Sequence, residues 1–286
     1  LSRRDLGVPN LRGCSVDGDA DRLVYWFHGH DSNFEIVDGD KIAALLASFV
    51  HEQLSAVAGA LPSVSPITFA CVQTAYANGN AGALARELGV PLVLAKTGVK
   101  HLHHMALAYD IAVYFEANGH GTLLFSDRAT AALERVRDDS VHGAPAHEAA
   151  ITLLLLRRLV NQAVGDALSD LLAVEAVLAL RGWGAREWDA LYAELPSRQL
   201  KLPVADRTAL RTTDDEARCT APGNLQPALD ELMRRFGSGR CFVRPSGTED
   251  VVRVYAEAAT RHEADELARL TAQTTWRLAG GVGECP

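Results

Sequence analysis

Basic residues are in deficit here: 28 Lys and Arg stand against 36 Asp and Glu, for a net charge of −8. The chain as a whole therefore lacks the electrostatic footprint of a nucleic-acid binder, although a local basic pocket can still hold an anion. Long apolar runs are also missing. The longest, near Ala149 to Leu156, falls far short of the ~20 residues a membrane helix needs, so no membrane partner is expected. There is no signal-peptide pattern, internal repeat or low-complexity segment. The cysteines, Cys14, Cys71, Cys219, Cys241 and Cys285, are scattered, odd in number and without metal-ligand spacing. That argues for free thiols in a reducing compartment, hence a cytoplasmic location. An initiator Met is missing too. The chain starts at Leu1 and meets a strand-like pattern within a few residues, so we expect a C-terminal piece of a longer protein. What is present is core material: 48% of the 286 residues are hydrophobic, and the length suggests about two domains.

Against that background one stretch stands out, Cys14 to Trp26. Asp17, Asp19 and Asp21 alternate with the small residues Gly18 and Ala20, and Arg22 follows directly. In a tight loop this spacing lets several carboxylate oxygens converge on one hard divalent cation; Mg²⁺ keeps open positions for water and a phosphate. An acidic surface turn would show the same composition. A calcium EF-hand loop fits worse, because Arg22 stands where Gly is needed and His28 where Glu is needed. The apolar run after Arg22 reads as a strand that holds the loop.

Downstream, Asp38 or Asp40 caps a helix over Lys41 to Gln53, with Ile42, Leu45, Leu46 and Phe49 at helical spacing. Ile67 to Val72 reads as a buried strand, Ala81 to Leu88 as a helix, Val90 to Ala95 as a strand, Val99 to Ala108 as a helix and Ile111 to Phe115 as a third strand. Such alternation predicts a mainly parallel sheet with helices packed on it. Ligands of open α/β sheets bind beyond the carboxyl ends of strands. Two polar loops lie there. Lys96-Thr97-Gly98-Val99-Lys100-His101 carries positive charge and a group that titrates near neutrality. Glu116-Ala117-Asn118-Gly119-His120-Gly121-Thr122 offers donors and acceptors suited to sugar hydroxyls, though solvated loop residues would look alike. His101, His103 and His104 match no common zinc spacing. Ala146 to Val164 and Leu171 to Leu180 are apolar helices, and Gly182-Trp183-Gly184 is a candidate linker. After it come a helix over Glu187 to Leu195, a strand over Leu200 to Val204 and an amphipathic helix over Leu225 to Phe236. A last helix, with Thr260 and Glu263 as its capping box, reaches about Leu278.

Between those last two helices, Phe242 to Tyr255 reads as two strands around a Pro245-Ser246-Gly247-Thr248 turn. Ser246 and Thr248 bring hydroxyls, and Gly247 lets backbone N–H groups face one concavity, as in an anion-binding nest. Arg244 and Arg253 can add bidentate bonds to phosphate. A bare surface hairpin is the alternative.

Taken together and in this order, these stretches resemble the α-D-phosphohexomutase superfamily, in its N-acetylglucosamine branch. The resemblance spans nearly the whole chain. It identifies Asp17-Gly18-Asp19-Ala20-Asp21-Arg22 with the Mg²⁺ loop and Glu116 to Gly121 with the sugar-recognition loop. Thr97-Gly98-Val99-Lys100-His101 matches the loop that carries a catalytic basic residue, and Arg244 to Asp250 with Arg253 the distal phosphate loop. The implied fold is α/β: the end of a metal-binding second domain (1–36), a layered sugar-binding third domain with a mixed, mainly parallel sheet (37–182), and a phosphate-binding α+β fourth domain of TATA-box-binding-protein type (183–286). The implied activity interconverts N-acetylglucosamine 6-phosphate and 1-phosphate through a bisphosphate that also serves as activator, feeding UDP-N-acetylglucosamine synthesis. The implied roles are one Mg²⁺ on Asp17, Asp19 and Asp21; Arg22 on the transferring group; Lys100 or His101 as general acid or base; Glu116, Asn118 and His120 on the sugar; and Arg244, Ser246, Gly247, Thr248 and Arg253 on the unreacting phosphate. The partner is a small sugar phosphate, and a monomer is favoured. The family's phosphoryl-carrying serine, in a Thr-x-Ser-His-Asn context, is absent, so this chain alone is expected to be inactive. A sugar-phosphate-binding module without catalysis, or a structural metal-binding protein, are the other readings.

Overall fold

The computed structural model describes residues 11–29, 33–61, 66–139 and 143–286. These form two compact units. The first takes the chain up to Gln73 together with Ala81–Val93 and Gly98–Ala193, and the second takes Thr74–Asn80, Leu94–Thr97 and Glu194–Pro286.

In the first unit, β1 (Arg12–Val16), β2 (Leu23–His28) and β3 (Phe34–Val37) make an antiparallel three-stranded sheet. Burial alternates along β2, so Leu23, Tyr25 and Phe27 face the core, as the period of two in a half-buried strand requires. Helix α1 (Gly39–Val57) follows, capped by Asp38, whose side chain accepts from the N–H groups of Asp40 and Lys41. It is the central core helix. By length and composition alone residues Gly39–Ala60 would pass for a membrane span, but Ile42, Leu45, Leu46, Phe49 and Val50 are buried in the protein's own core.

The alternation then runs β4 (Phe69–Thr74), α2 (Gly79–Leu88), β5 (Leu92–Ala95), α3 (Val99–Ala106), β6 (Ile111–Phe115) and β7 (Gly121–Phe125). The sheet order is β5-β4-β6-β7, with β4 and β6 parallel and β6 and β7 antiparallel. Strand β7 was not expected. Its buried run Leu123-Leu124-Phe125 returns along β6 immediately after the sugar-type loop, which is thus the tip of a hairpin. Helices α4 (Asp127–Asp138), α5 (Ala144–Leu159) and α6 (Ala167–Arg181) complete the layer.

The break at Gly182-Trp183-Gly184 does not end this unit. Helix α7 (Ala185–Asp189) is shorter than expected and carries Trp188 into the core, where its indole N–H donates to the carbonyl of Lys41 at 2.8 Å. Lys41 is itself 1% exposed. Its ammonium donates to the carbonyls of Asp189 and Tyr192 at 2.5 Å, pairs with the Asp189 carboxylate at 3.2 Å and sits over the Tyr192 ring. A buried ammonium needs this set of acceptors, and they tie the chain from Trp188 to Tyr192 to α1. The units divide after Ala193.

In the second unit β8 (Ser197–Pro203), β11 (Arg240–Pro245) and β12 (Val251–Glu257) form an antiparallel sheet of order β11-β12-β8. A short hairpin, β9 (Arg211–Thr212) with β10 (Cys219–Ala221), precedes α8 (Leu225–Met233). Helix α9 (Arg261–Leu278) opens on the anticipated Thr260–Glu263 capping box. Val243, Val252 and Val254 meet Leu225, Leu229 and Leu267 in a core of its own.

Candidate active site

The acidic loop between β1 and β2 is folded back on its first carboxylate. Asp17 Oδ1 accepts from the N–H groups of Asp21 (3.2 Å) and Arg22 (3.1 Å), and its carbonyl accepts from Ala20. Partial desolvation opposes ionisation of Asp17, but those two N–H donors and the Arg22 charge outweigh it and hold the carboxyl below its usual range. One oxygen from each of Asp17, Asp19 and Asp21 lies within 4.8 Å of the others, and this is the one such group among the described residues. Asp21 Oδ1 is buried without a hydrogen-bond donor. An orphaned carboxylate oxygen beside two more carboxylates fits a hard divalent cation. Arg22 reaches toward Asp17 and Asp21 at 3.7 and 3.8 Å, longer than a hydrogen bond, and is half exposed.

The Glu116–His120 loop is registered on this one by backbone pairing. Leu23 N–H donates to Gly119 carbonyl at 3.1 Å, and Arg22 and His120 form an antiparallel bridge. Gly119 has φ 87°, and a Cβ there would stand 1.9 Å from the Leu23 carbonyl oxygen, so only glycine fits. His120 Nδ1 lies 3.6 Å from Asp21 Oδ2. The loop also holds itself: His120 N–H donates to Asn118 Oδ1, Asn118 Nδ2 to Glu116 Oε2, and Gly98 N–H to Glu116 Oε1 at 2.9 Å. Asp38-Gly39-Asp40 is cap and support. Gly39 N–H donates to Ala117 carbonyl, and Asp40 accepts from the buried Gln73. Lys100 and His101 are exposed on the first turn of α3. His103 Nδ1 meets the Tyr114 hydroxyl at 3.0 Å, and the three histidines form no metal-type group.

In the second unit the β11–β12 turn brings Arg244, Ser246, Thr248 and Arg253 to one end of the sheet. The register sets Arg244 opposite Arg253, and Arg253 opposite Lys201 on β8. Three cations directly across neighbouring strands repel one another. Glu249, 2.7 Å from Lys201 and 3.8 Å from Arg253, answers part of that charge, and the Lys201 hydrogen bond holds its carboxyl below the usual range. The turn departs from a simple nest. Ser246 is buried and its N–H is spent on the Val251 carbonyl at 2.9 Å. Gly247 lacks a positive φ and has open space where a side chain would stand, so neither backbone strain nor a close contact requires glycine there. Lys201 and Glu216 were missed at sequence level. Lys201 was hidden in a short polar strand, and only strand pairing makes it a neighbour of Arg253.

Two family models match the chain. One described as phosphoglucomutase/phosphomannomutase, C-terminal domain, matches residues 200–273. One described as phosphoacetylglucosamine mutase AMG1, domain III, matches residues 38–183, just over half of the chain. The chain belongs to the phosphoacetylglucosamine mutase family. It is 48% identical over 276 residues to phosphoacetylglucosamine mutase of Mus musculus, covering 96% of this chain and 49% of that one. It matches the crystal structure of Aspergillus fumigatus N-acetylphosphoglucosamine mutase in complex with GlcNAc-6P and magnesium at TM-score 0.84 and 44% identity, over 92% of this chain and 52% of the other. A structure of the same fungal enzyme with glucose 1,6-bisphosphate gives TM-score 0.82 at 46% identity, over 95% and 49%. The chain thus spans about half the length of the curated relatives it matches.

Proposed function

We propose that these residues supply the metal, sugar and phosphate loops of a phosphomutase that interconverts N-acetylglucosamine 6-phosphate and 1-phosphate through a bisphosphate. The observation that carries this reading is the backbone register of Leu23 on Gly119, which sets three carboxylates beside a sugar-type loop. The compounds bound in the fungal relative's structures, GlcNAc-6P, magnesium and glucose 1,6-bisphosphate, support the substrate class. In this reading the chain provides the end of the metal-binding domain, all of the sugar domain from about residue 37, and the phosphate domain.

Phosphoryl transfer asks the protein for positioning and charge neutralisation more than for covalent chemistry. Bound to Asp17, Asp19 and Asp21, Mg²⁺ would neutralise charge on the phosphoryl group in transit. Arg22, loosely paired with two of those carboxylates, donates to that group's oxygens. Glu116 and Asn118 hold sugar hydroxyls, and His120 adds a donor from against Asp21. Lys100 or His101 moves the proton of the attacking or leaving hydroxyl. Arg244, Arg253 and the Ser246 and Thr248 hydroxyls grip the phosphate that does not react. No serine of this sequence stands in a Thr-x-Ser-His-Asn context, and transfer needs a nucleophile that accepts and returns the phosphoryl group. The 286 residues therefore bind the sugar phosphate without turning it over. The free cysteines support a cytoplasmic enzyme, and we favour a monomer.

Calorimetric titration of the 286-residue chain with N-acetylglucosamine 6-phosphate, with and without Mg²⁺, and a coupled turnover assay test this together. Binding without turnover is expected. No binding would overturn the site, and sustained turnover would show that a serine in this sequence carries the phosphoryl group.

A further inference from the structure

The turn between β9 and β10 holds a residue that the functional reading has not used. Glu216 adopts φ 59°, a left-handed conformation that a residue with a side chain adopts only at a cost, and it is only 5% exposed. A buried carboxylate on a strained backbone needs strong partners. One oxygen, Oε2, accepts from both the N–H (3.1 Å) and the hydroxyl (2.5 Å) of Thr97. The other, Oε1, faces Arg244 Nη1 at 3.7 Å, an ion pair too long to be a hydrogen bond. The far end of the same guanidinium is fixed separately, Nε donating to the Tyr76 hydroxyl at 3.0 Å with the ring beneath it. Tyr76 is in turn wedged edge-on against Phe242 and Tyr255.

The neighbouring Arg240 shows what a purely structural arginine looks like in this sheet. Its Nε pairs with the buried Glu257, and its two Nη atoms donate to the carbonyls of Ala75 and Ala77 at 2.7 Å. Arg244 is held at two points, yet among the described residues its Nη atoms make no hydrogen bond. That leaves the planar fork free to meet a phosphate bidentately.

We propose that Glu216 is a positioning residue of the phosphate grip. Its carboxylate, anchored by Thr97, aims Arg244 by charge from a distance that does not consume the donors. This rests on the reading of Arg244 as a phosphate ligand. It predicts that Glu216 acts through Arg244 and not through folding.

The test is a double-mutant cycle on the 286-residue chain, read by calorimetric titration with glucose 1,6-bisphosphate. Glu216→Ala should weaken binding about tenfold, the scale of one lost charge-assisted interaction. Glu216→Gln, which still accepts from Thr97 but carries no charge, should weaken it about threefold. In an Arg244→Ala background, Glu216→Ala should change affinity less than about twofold. If Glu216→Ala does not fold, Glu216→Gln carries the cycle. Wild-type affinity in the Glu216 variants, or losses that multiply in the double variant, overturn the inference. An Arg244→Ala chain that binds as well as the wild type overturns the phosphate reading itself, and the inference with it.

Discussion

Replacing Gly119 by alanine should damage the fold and the proposed metal site together, and the structure gives the size of the effect. At φ 87° an alanine is strained, and its Cβ would lie 1.9 Å from the Leu23 carbonyl oxygen, which belongs to the backbone and cannot swing away. The left-handed conformation costs roughly 1–2 kcal/mol. Losing the Leu23–Gly119 hydrogen bond costs about 1 kcal/mol, and shifting packed backbone costs about 1–3 kcal/mol. Together these give roughly 4 kcal/mol, or about 10 °C in Tm for a unit of this size. Because Leu23 opens β2 directly after Asp21 and Arg22, the displacement also spreads the three carboxylates. Scanning calorimetry reads the stability, and Mn²⁺ binding followed by electron paramagnetic resonance reads the site. Gly18→Ala is the control, since a Cβ there meets nothing within 4 Å although it sits between two of the carboxylates; it should leave Tm within about 1 °C. If Gly119→Ala unfolds within 2 °C of wild type, or the two variants behave alike, the close approach of the loops is not what builds the site.

Asp19→Asn should leave the Tm unchanged and weaken Mn²⁺ binding more than tenfold, because a charged ligand leaves a site selected for charge; undiminished binding would refute the metal assignment. Arg253→Ala should weaken glucose 1,6-bisphosphate about tenfold and a sugar lacking the distal phosphate hardly at all, which titration calorimetry with both ligands separates. Asp170 is fully buried, accepts from the Thr122 hydroxyl, and desolvation pushes its carboxyl up to about 8. Its folded pKa lies above the unfolded one, so the stability it contributes is complete in acid and is lost as pH rises through about 8. Asp170→Asn should flatten that decline in urea unfolding between pH 5 and 9, and an unchanged slope would show that the group does not titrate there.

Much of this was legible in sequence because the signals were local. The alternation of Asp17, Asp19 and Asp21, the Asp38 cap, the Thr260–Glu263 box and the apolar spacing of α1 each depend on residues within one or two turns. Strand β7 was hidden because its glycine-led start looks like the end of a loop, and only its pairing with β6 declares it. The extension of the first compact unit to Ala193 was hidden for a different reason. Gly182-Trp183-Gly184 has the composition of a linker, but Lys41, 148 positions from Asp189, holds the following segment in the core. Buried lysines leave no compositional trace, so nothing local announced that tie.

The site divides along the same line. What sequence motifs carry are the groups that the proposed function assigns to a ligand; what they omit are the groups that hold those in place. Arg244 and Arg253 were evident from their turn, whereas Lys201 becomes their neighbour only through strand register, and Glu216 meets Arg244 only because a β9–β10 turn accepts a strained conformation. The row Arg244, Arg253 and Lys201 would be a poor choice for a sheet with nothing to bind, since adjacent like charges destabilise strand pairing. Glu249, paired with Lys201 and near Arg253, and Glu216, 3.7 Å from Arg244, answer part of that repulsion. Under the proposed function a doubly charged phosphate would supply the remaining neutralisation, and the repulsion between neighbouring cations would then add to the grip on it.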